Sequence, residues 1–460
     1  MAGQSLSVET QATAVAGQNL ANVSNPAYAD EQLQVQAAPS LDTTSGDEGT
    51  GVQATKITQL WDSLLNSQIV AEDSVSGSLN SQQSALQQTE AYLNEQLSSS
   101  SSTGTSSSNG LAADLSGLFN SLQTLSTDPT SIPDRQAVAQ SAQQLTQQFN
   151  SVSSGLTTVA SDLNTSIQNG VTSSNNDLSQ IAALNEQIIN AQADGGTDNN
   201  LIDQREKTIE DLAGYANITT SAQSNGAVNV SIGGVTMVAD GATPDSLQTY
   251  TNSSGQLMIQ AQNAGTPLTL TGGSIEGSIT ARDGQVATLQ NSINTLASTL
   301  ITQFNSVYSG GYDLNNNNST QDFFTGSDAA SIGVNSTVVN DPTTFQASGT
   351  SGDTGDNTVV LSLANLASQS LSSLSNQTLS QSYAATIGDF GSALQSVNSQ
   401  ISNSTAVSQM LATQRSSETG VDTDTEMTNL MQYQKAYEAS AELVTTVNQM
   451  LETLIDMKTE

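Results

Sequence analysis

The stretch Gly420-Val-Asp-Thr-Asp-Thr-Glu-Met-Thr-Asn-Leu-Met-Gln-Tyr-Gln-Lys-Ala-Tyr-Glu-Ala-Ser-Ala441 decides the fold of this chain, because it opens an apolar stripe that continues almost to Glu460. Leu430, Tyr433, Tyr437, Val444, Val447, Leu451 and Leu454 fall at the a and d positions of a 3.5-residue repeat. Ser440 is the one polar member. Thr423 and Glu426 have capping-box spacing, and Asp422 and Asp424 suit the positive N-terminus of a helix. A helix with a single apolar stripe cannot bury it alone. Near the other end, Asn19-Leu-Ala-Asn-Val-Ser-Asn-Pro-Ala-Tyr28 follows a second helical segment, about Ser5 to Val23, with a small-sided seam of Val8, Ala12, Val15 and Asn19. Two such helices at opposite ends predict that the ends meet, or that both wait for a neighbouring subunit. The pattern points to assembly before it points to chemistry.

Composition narrows the possibilities. A length of 460 residues suits roughly two to four domains. An apolar fraction of 35% with 4% aromatics favours long, thin helical packings over a thick core. The formal net charge is −35, and six of the eight basic residues, all but Arg205 and Lys207, are scattered. Nothing resembles a basic patch for phosphates or for an anionic membrane surface, so neither nucleic acid nor membrane is an expected partner. The chain has no Cys and no His, which removes thiol nucleophiles, disulfides, structural zinc and the usual general base. No cofactor or metal is expected. Met1-Ala-Gly-Gln-Ser-Leu6 lacks the features of a cleavable signal peptide, and no apolar run is long enough to span a membrane.

Periodicity then orders the chain. Residues 24–55 read as irregular. A helix is predicted from about Lys56, with Ile57, Leu60, Trp61, Leu64 and Leu65 on one face and Leu79, Leu86 and Leu93 following. Ser98 to Asn109 reads as a Ser/Thr/Gly loop. Leu111, Leu115, Leu118, Phe119, Leu122 and Leu125 mark an amphipathic helix closed by Asp128-Pro129. From about Asp134 to Ala193 a seam through Leu145, Phe149, Val152, Leu156, Val159 and Leu163 predicts one helix about 90 Å long. The period switches to two at Val228, Val230 and Ile232, with a Gly233-Gly234 hairpin turn. Helix resumes near Gly284. Residues 309–357 are loop-rich with a strand at Ile332 to Val339, and helix returns from about Thr358 through Ile387, Phe390, Leu394, Val397 and Ile401 to Leu411.

Signs of chemistry are weak. Asp313-Leu-Asn-Asn-Asn-Asn318 resembles the start of a calcium loop. Asn318 stands where glycine belongs and Phe324 where glutamate belongs, so a polar turn is the better reading. Asp422, Asp424 and Glu426 fit helix capping better than an acid–base cluster. Asp203-Gln-Arg205-Glu206 offers either a contact to another subunit or, preferred, an intramolecular ion pair.

The two ends resemble the flagellar rod, hook and hook-associated protein family. Asn19 to Tyr28 is similar to its N-I-A-N-x-x-T-P-G-Y motif, and Gly420 to Ala441 to its G-V-x-x-D-x-E-M-x-x-L-x-x-Y-Q-x-A-Y-x-A-x-A. Pro129-Thr-Ser-Ile-Pro-Asp-Arg135-Gln-Ala-Val138, Leu184-Asn-Glu-Gln-Ile188, Asn200-Leu-Ile-Asp-Gln-Arg205 and Gly311-Tyr-Asp-Leu-Asn315 with Phe323-Phe324 resemble segments of its hook-associated members. The first helix is several residues short of the family pattern. Ala27 replaces the usual Gly, Ala29-Asp30 the usual Ser-Arg, and Asn316 another Gly. The resemblance implies a junction between flagellar hook and filament. Its implied partners are the hook protein, a second junction protein, copies of itself in a ring, and an export chaperone on the C-terminal helix. It also implies an extracellular location, reached by type III export.

Residues and resemblance together predict a mainly α fold with a small β insert: an elongated multi-helix bundle with terminal coiled-coil helices and an inserted antiparallel β domain. The expected segments are an N-terminal assembly helix and loop (1–55), a bundle in two parts (56–216 and 284–412), the β insert (217–283) and a C-terminal assembly helix (413–460). Leu430, Tyr433, Tyr437, Val444, Leu451 and Leu454 are expected to carry an inner contact with Val8, Val15 and Leu20, and Asn22, Pro26, Tyr28 and Val447 are further expected subunit or assembly contacts. The rival readings are a secreted coiled-coil adhesin and a hydrolase insert on a flagellar scaffold. The latter would have to use Asp240, Asp245, Glu276 or Asp283.

Overall fold

The computed structural model describes residues 2–25, 27–43, 46–93, 110–194, 196, 198–239 and 244–459. Among them the chain is mainly α with small antiparallel sheets. Its contacts divide into two compact units, each assembled from separate stretches of chain. The Ser98 to Asn109 loop lies outside the described residues.

The first unit comprises Met1–Gly77, Gly170–Gly273 and Asn403–Glu460. It opens with α1 (Ala2–Asn22). Residues 24–55, expected to be irregular, carry β1 (Glu31–Ala37), β2 (Leu41–Thr43) and β3 (Gly46–Glu48), and they run into β4 (Val52–Gln59). β1 pairs antiparallel with β4, and β2 with β3. Leu33, Val35 and Ala37 alternate with Gln32, Gln34 and Gln36, a period of two that the polar composition obscured. The predicted helix start at Lys56 is therefore wrong. Asp62 begins α2 (Ser63–Leu93) by accepting from the backbone N–H groups of Leu64 and Leu65 at 2.8 and 3.1 Å. Ile57 lies on β4, and Leu60 and Trp61 precede the helix, so the three share no helical face with Leu64.

The unit also takes the end of α4 (Ile132–Ala193), α5 (Asn199–Tyr215), the strands after it and, from residue 403 on, the end of the chain. β5 (Ile218–Ala222), β6 (Val228–Ile232) and β7 (Val235–Val238) form one sheet; β8 (Leu247–Thr251) and β9 (Leu257–Ala261) form another. Gly233 and Gly234 both take positive φ, 56° and 83°, which the tight hairpin between β6 and β7 requires. Two asparagines of α4 hold the sheets by paired backbone bonds. Asn185 donates to Val228 O at 2.8 Å and accepts from Val228 N at 3.0 Å. Asn175 does the same with Leu247 at 2.9 and 2.7 Å. Arg205 joins the first of these, donating to Gly226 O at 2.7 Å and pairing with Glu206 at 3.1 Å, so the preferred intramolecular reading holds. α2 and α5 approach so closely that a Cβ on Gly77 would stand 2.2 Å from the carbonyl oxygen of Gly214.

The second unit comprises Ser78–Asn169 and Ser274–Ser402. α3 (Leu111–Leu125) buries its predicted leucine seam against one core that also takes Leu145, Phe149, Val152, Leu156 and Val159 of α4. α6 (Gly273–Thr280) begins inside the stretch expected to be β; a π-helical turn, Ala281–Val286, leads from it into α7 (Ala287–Tyr308). Phe304, Tyr308, Phe323, Phe324 and Phe345 cluster with ring centroids 4.8–6.4 Å apart. The buried guanidinium of Arg135 donates to Pro129 O at 2.8 Å and lies 5.9 Å from the Phe345 ring centroid, and burial lowers its pKa to about 10. The strand expected at Ile332 to Val339 shrinks to β11 (Gly333–Val334), paired with β10 (Phe324–Thr325). Asn335 ends it by capping α8 (Ser336–Asn340), accepting from Thr337 N at 2.9 Å. The helix expected to run on from Thr358 is divided into α9 (Thr358–Asn365) and α10 (Leu379–Thr419), with Ser375 and Asn376 between them in left-handed conformation. From residue 403 the chain is back in the first unit, which α11 (Thr423–Thr459) closes.

Candidate assembly site

One side chain organises the loop after α1. Asn19 is 1% exposed. Its Oδ1 accepts from the Tyr28 hydroxyl at 2.7 Å and from Glu31 N at 3.1 Å. Its Nδ2 donates to Asp30 Oδ1 at 2.6 Å and to Glu31 O at 2.9 Å. Both donors and both acceptor positions of the amide are thus used, and the loop folds back onto the helix it left. Asp30 N then donates to Thr419 O at 2.8 Å, which ties this loop to the corner between α10 and α11. The two ends of the chain meet at that bond. Asn19 was read from sequence as a seam position and as the first residue of the family motif. A lone amide in an apolar seam, one turn before a polar loop, was the available signal of its role.

α1 packs along α11. The helices run antiparallel: the end of α1 lies near Thr419, and Glu9 comes close enough to Tyr433 to act on its hydroxyl. Val8 and Val15 are buried on α1, and Leu20 and Asn22 are half-buried. On α11, Leu430, Tyr433 and Val444 are half-buried, whereas Tyr437, Val447, Leu451 and Leu454 are exposed. The predicted stripe is thus covered for only part of its length. Length explains this: at about 1.5 Å per residue, the 21 residues of α1 cannot reach along the 37 of α11. Every described side chain from Thr445 to Met457 is exposed, Leu454 by 61%. Sequence reading missed a second exposed apolar set, Met427, Met431, Leu443 and Met450, because it followed only the a and d positions. Pro26 lies outside the described residues.

The capping box is corrected as well. Asp422, not Thr423, is the N-cap, accepting from Thr425 N at 2.8 Å, and that bond lowers its pKa. Glu426 is buried, and its charge helps raise the pKa of Asp30, after desolvation as the main cause.

Two cavities flank the loop. One of about 470 Å³ is lined by Tyr28, Glu72, Asp73, Glu210 and Arg415. Arg415 pairs there with Glu210. Desolvation, reinforced by Glu210, raises the Asp73 carboxyl to about 6. The other, of about 400 Å³, is lined by Asn22, Tyr28, Asp177 and Asp203 among others. Desolvation raises Asp177 to about 6 and Asp203 to about 7; a hydrogen bond from Gln59, at 2.8 Å, opposes the rise at Asp203. Burial also raises the Tyr28 hydroxyl.

The remaining sequence candidates are structural. Asp313 Oδ1 accepts from Asn315 N and Asn317 N at 2.8 and 2.7 Å, with Asn316 left-handed between them, which is a polar turn. In the insert region, Asp245 accepts from Ser246 N and Asn263 N, Glu276 from Ser78 and Thr280, and Asp283 pairs with Arg282. Asp240 lies outside the described residues. Among the described residues no cluster of acidic side chains is arranged to hold a metal, and no helix is long and apolar enough to cross a membrane.

Residues 98–324 match the family described as the flagellar hook-associated protein FlgK helical domain, and residues 412–457 match the flagellar basal body rod FlgEFG protein C-terminal family. The chain is 27% identical over 502 residues to flagellar hook-associated protein 1 of Bacillus subtilis (strain 168), covering 99% of this chain and 97% of that one. It is 26% identical over 319 residues to flagellar hook-associated protein 1 of Escherichia coli (strain K12), covering 67% and 56%. Its fold is similar to that of the flagellar hook junction protein FlgK from Burkholderia pseudomallei, with a TM-score of 0.50 and 25% identity, over 56% of this chain and 46% of that one.

Proposed function

Because the chain belongs to the FlgK family of flagellar hook-associated proteins, we propose that it is a structural subunit of the junction between flagellar hook and filament, required for the flagellum to assemble. One observation carries the mechanism: α1 covers the first part of the α11 stripe and leaves the rest bare. Val447, Met450, Leu451, Leu454 and Met457 are exposed in that part. A neighbouring subunit laid along them continues the seam that α1 begins.

Magnitudes favour assembly in a ring over a simple pair. Full burial of a large apolar side chain stabilises by about 1.5–3 kcal/mol. Half-burying those five side chains yields roughly 4–8 kcal/mol. Association costs about 4–15 kcal/mol in lost translation and rotation. One such contact is marginal, so the monomer stays dispersed, helped by its net charge of −35. Several contacts made at once close the ring. The hook protein on one side and a second junction protein on the other are the expected neighbours, and an export chaperone would shield the same stripe before assembly. Location in the extracellular part of the flagellum follows from that role.

The test removes residues 445–460. The truncated chain is expected to stay folded, because every described side chain in that segment is exposed, and cells carrying it should bear hooks without filaments. Filaments at normal frequency on such cells would overturn the proposal. A peptidoglycan-hydrolysis assay tests the hydrolase reading, and surface display in cells without hooks tests the adhesin reading.

A further inference from the structure

The methionines of this chain are unevenly placed. Of its eight, five lie between residues 410 and 457. Met410, Met427, Met431, Met450 and Met457 are each more than half exposed, Met457 by 71%, whereas Met237 on β7 is 2% exposed. A chain without cysteine has no thiol to take an oxidant first, so the thioether is its most readily oxidised side chain. Met450 borders a shallow groove of about 380 Å³ with Thr446, Gln449, Thr453 and Leu454, which leaves room for a small oxidant beside it. Met450, Leu454 and Met457 are spaced four and three residues apart, so they share one face of α11, on the stretch that α1 leaves bare.

We propose that Met450 and Met457 are a modification site for hydrogen peroxide, and that the sulfoxides formed there stop the subunit from joining its neighbours. The thioether sulfur attacks one peroxide oxygen and the O–O bond breaks. The leaving hydroxide takes the proton of the transferred OH, so the products are one sulfoxide and one water. Sulfur loses two electrons and the peroxide gains them. The sulfoxide turns a flexible apolar side chain into a polar one with a strong acceptor and no donor. A neighbour that covers this face then has to strip water from that oxygen, which opposes the contact. Covering also keeps peroxide away, so the subunit reacts before it is assembled and is protected afterwards. The effect on joining rests on the assembly reading above; the oxidation itself does not.

Treating the full chain with dilute hydrogen peroxide and mapping its peptides by mass spectrometry tests the chemistry. Met450 and Met457 should each gain one oxygen at least about tenfold faster than Met237, and methionine sulfoxide reductases should remove it again. Equal rates at Met450 and Met237 overturn the site. In cells, glutamine stands in for the sulfoxide, because it keeps an unbranched chain and adds a polar acceptor. Cells carrying Met450→Gln with Met457→Gln should bear filaments at least about tenfold less often than cells carrying Met427→Gln with Met431→Gln, whose side chains lie roughly 80–140° away around α11. Equal frequencies overturn the effect on joining, and unchanged urea midpoints check that both double variants are folded. Removal of residues 445–460 separates the two readings. If that truncation leaves hooks bare while the Met450→Gln, Met457→Gln cells carry normal filaments, the assembly reading stands and the oxidation effect falls. If the truncated chain still supports filaments, the assembly reading falls, and the oxidation rates alone decide the site.

Discussion

Replacing Asn19 by alanine should disconnect the two ends of the chain. On an ordinary helix surface the change would be favourable by about 0.5 kcal/mol, since alanine is the better helix former. Here the amide satisfies the Tyr28 hydroxyl, the Glu31 N–H and the Glu31 carbonyl, and it donates to Asp30 as well. Tyr28 and Glu31 are buried. Each buried group left unpaired costs about 1–3 kcal/mol, so the three together cost roughly 3–9 kcal/mol. Water entering the vacated space lowers that to about 3–5 kcal/mol. The assay is hydrogen exchange at the Asp30 and Glu31 amides, with urea unfolding of the same variant. Both amides should exchange at least about a hundredfold faster in Asn19→Ala. Asn19→Asp should be worse at pH 8 than at pH 5, because it sets a third carboxylate beside Asp30 and Glu31. Unchanged protection, with stability within about 0.5 kcal/mol of wild type, would refute the claim that Asn19 holds the loop.

Gly77→Ala in α2 should destabilise the first unit by about 2 kcal/mol or more by overpacking, although helix propensity alone favours alanine by about 1 kcal/mol. The added methyl would stand 2.2 Å from the Gly214 carbonyl oxygen, and a raised urea midpoint would contradict that close approach. Stability should also fall as pH rises from 4 to 8. Asp73, Asp177 and Asp203 have folded pKa values raised from 3.8 to about 6, 6 and 7, so the native state holds extra protons through that window and loses their benefit above it. At 1.36 kcal/mol per pKa unit, Asp203 alone corresponds to about 4 kcal/mol, which solvent screening reduces to about 2 kcal/mol. Asp356 works the other way: desolvation opposes it, but hydrogen bonds from Thr358 and Gly349 hold its pKa at about 2, and that contribution is lost only below pH 4. Chemical denaturation at pH 5 and pH 8 checks the sign; greater stability at pH 8 would count against the buried carboxyls.

Much of the fold was legible because long periodic seams survive low hydrophobicity. The α4 seam from Leu145 to Leu163 and the β6 alternation from Val228 to Ile232 are buried as their periods require. The β1–β4 hairpin was missed because glutamines fill its polar positions and its apolar residues are few. The helix start was misplaced because Ile57, Leu60 and Leu64 mimic helical spacing across an Asp62 cap. At the candidate site Val8 and Val15 are buried on α1, and Leu430, Tyr433 and Val444 are half-buried on α11.

Residue types and spacing alone establish that the ends carry apolar stripes, that Cys and His are absent, and that the basic residues form no patch for phosphates. Period and composition are local properties, and they can be read one residue at a time. Folding alone sets where the α11 stripe stops being covered, that Asn19 joins the two ends, and that burial raises the Asp177 and Asp203 carboxyls. Those are properties of distance between residues far apart in the chain: 11 residues separate Asn19 from Asp30, but Asp30 reaches Thr419 only through the fold. Desolvation and hydrogen-bond satisfaction depend on that meeting.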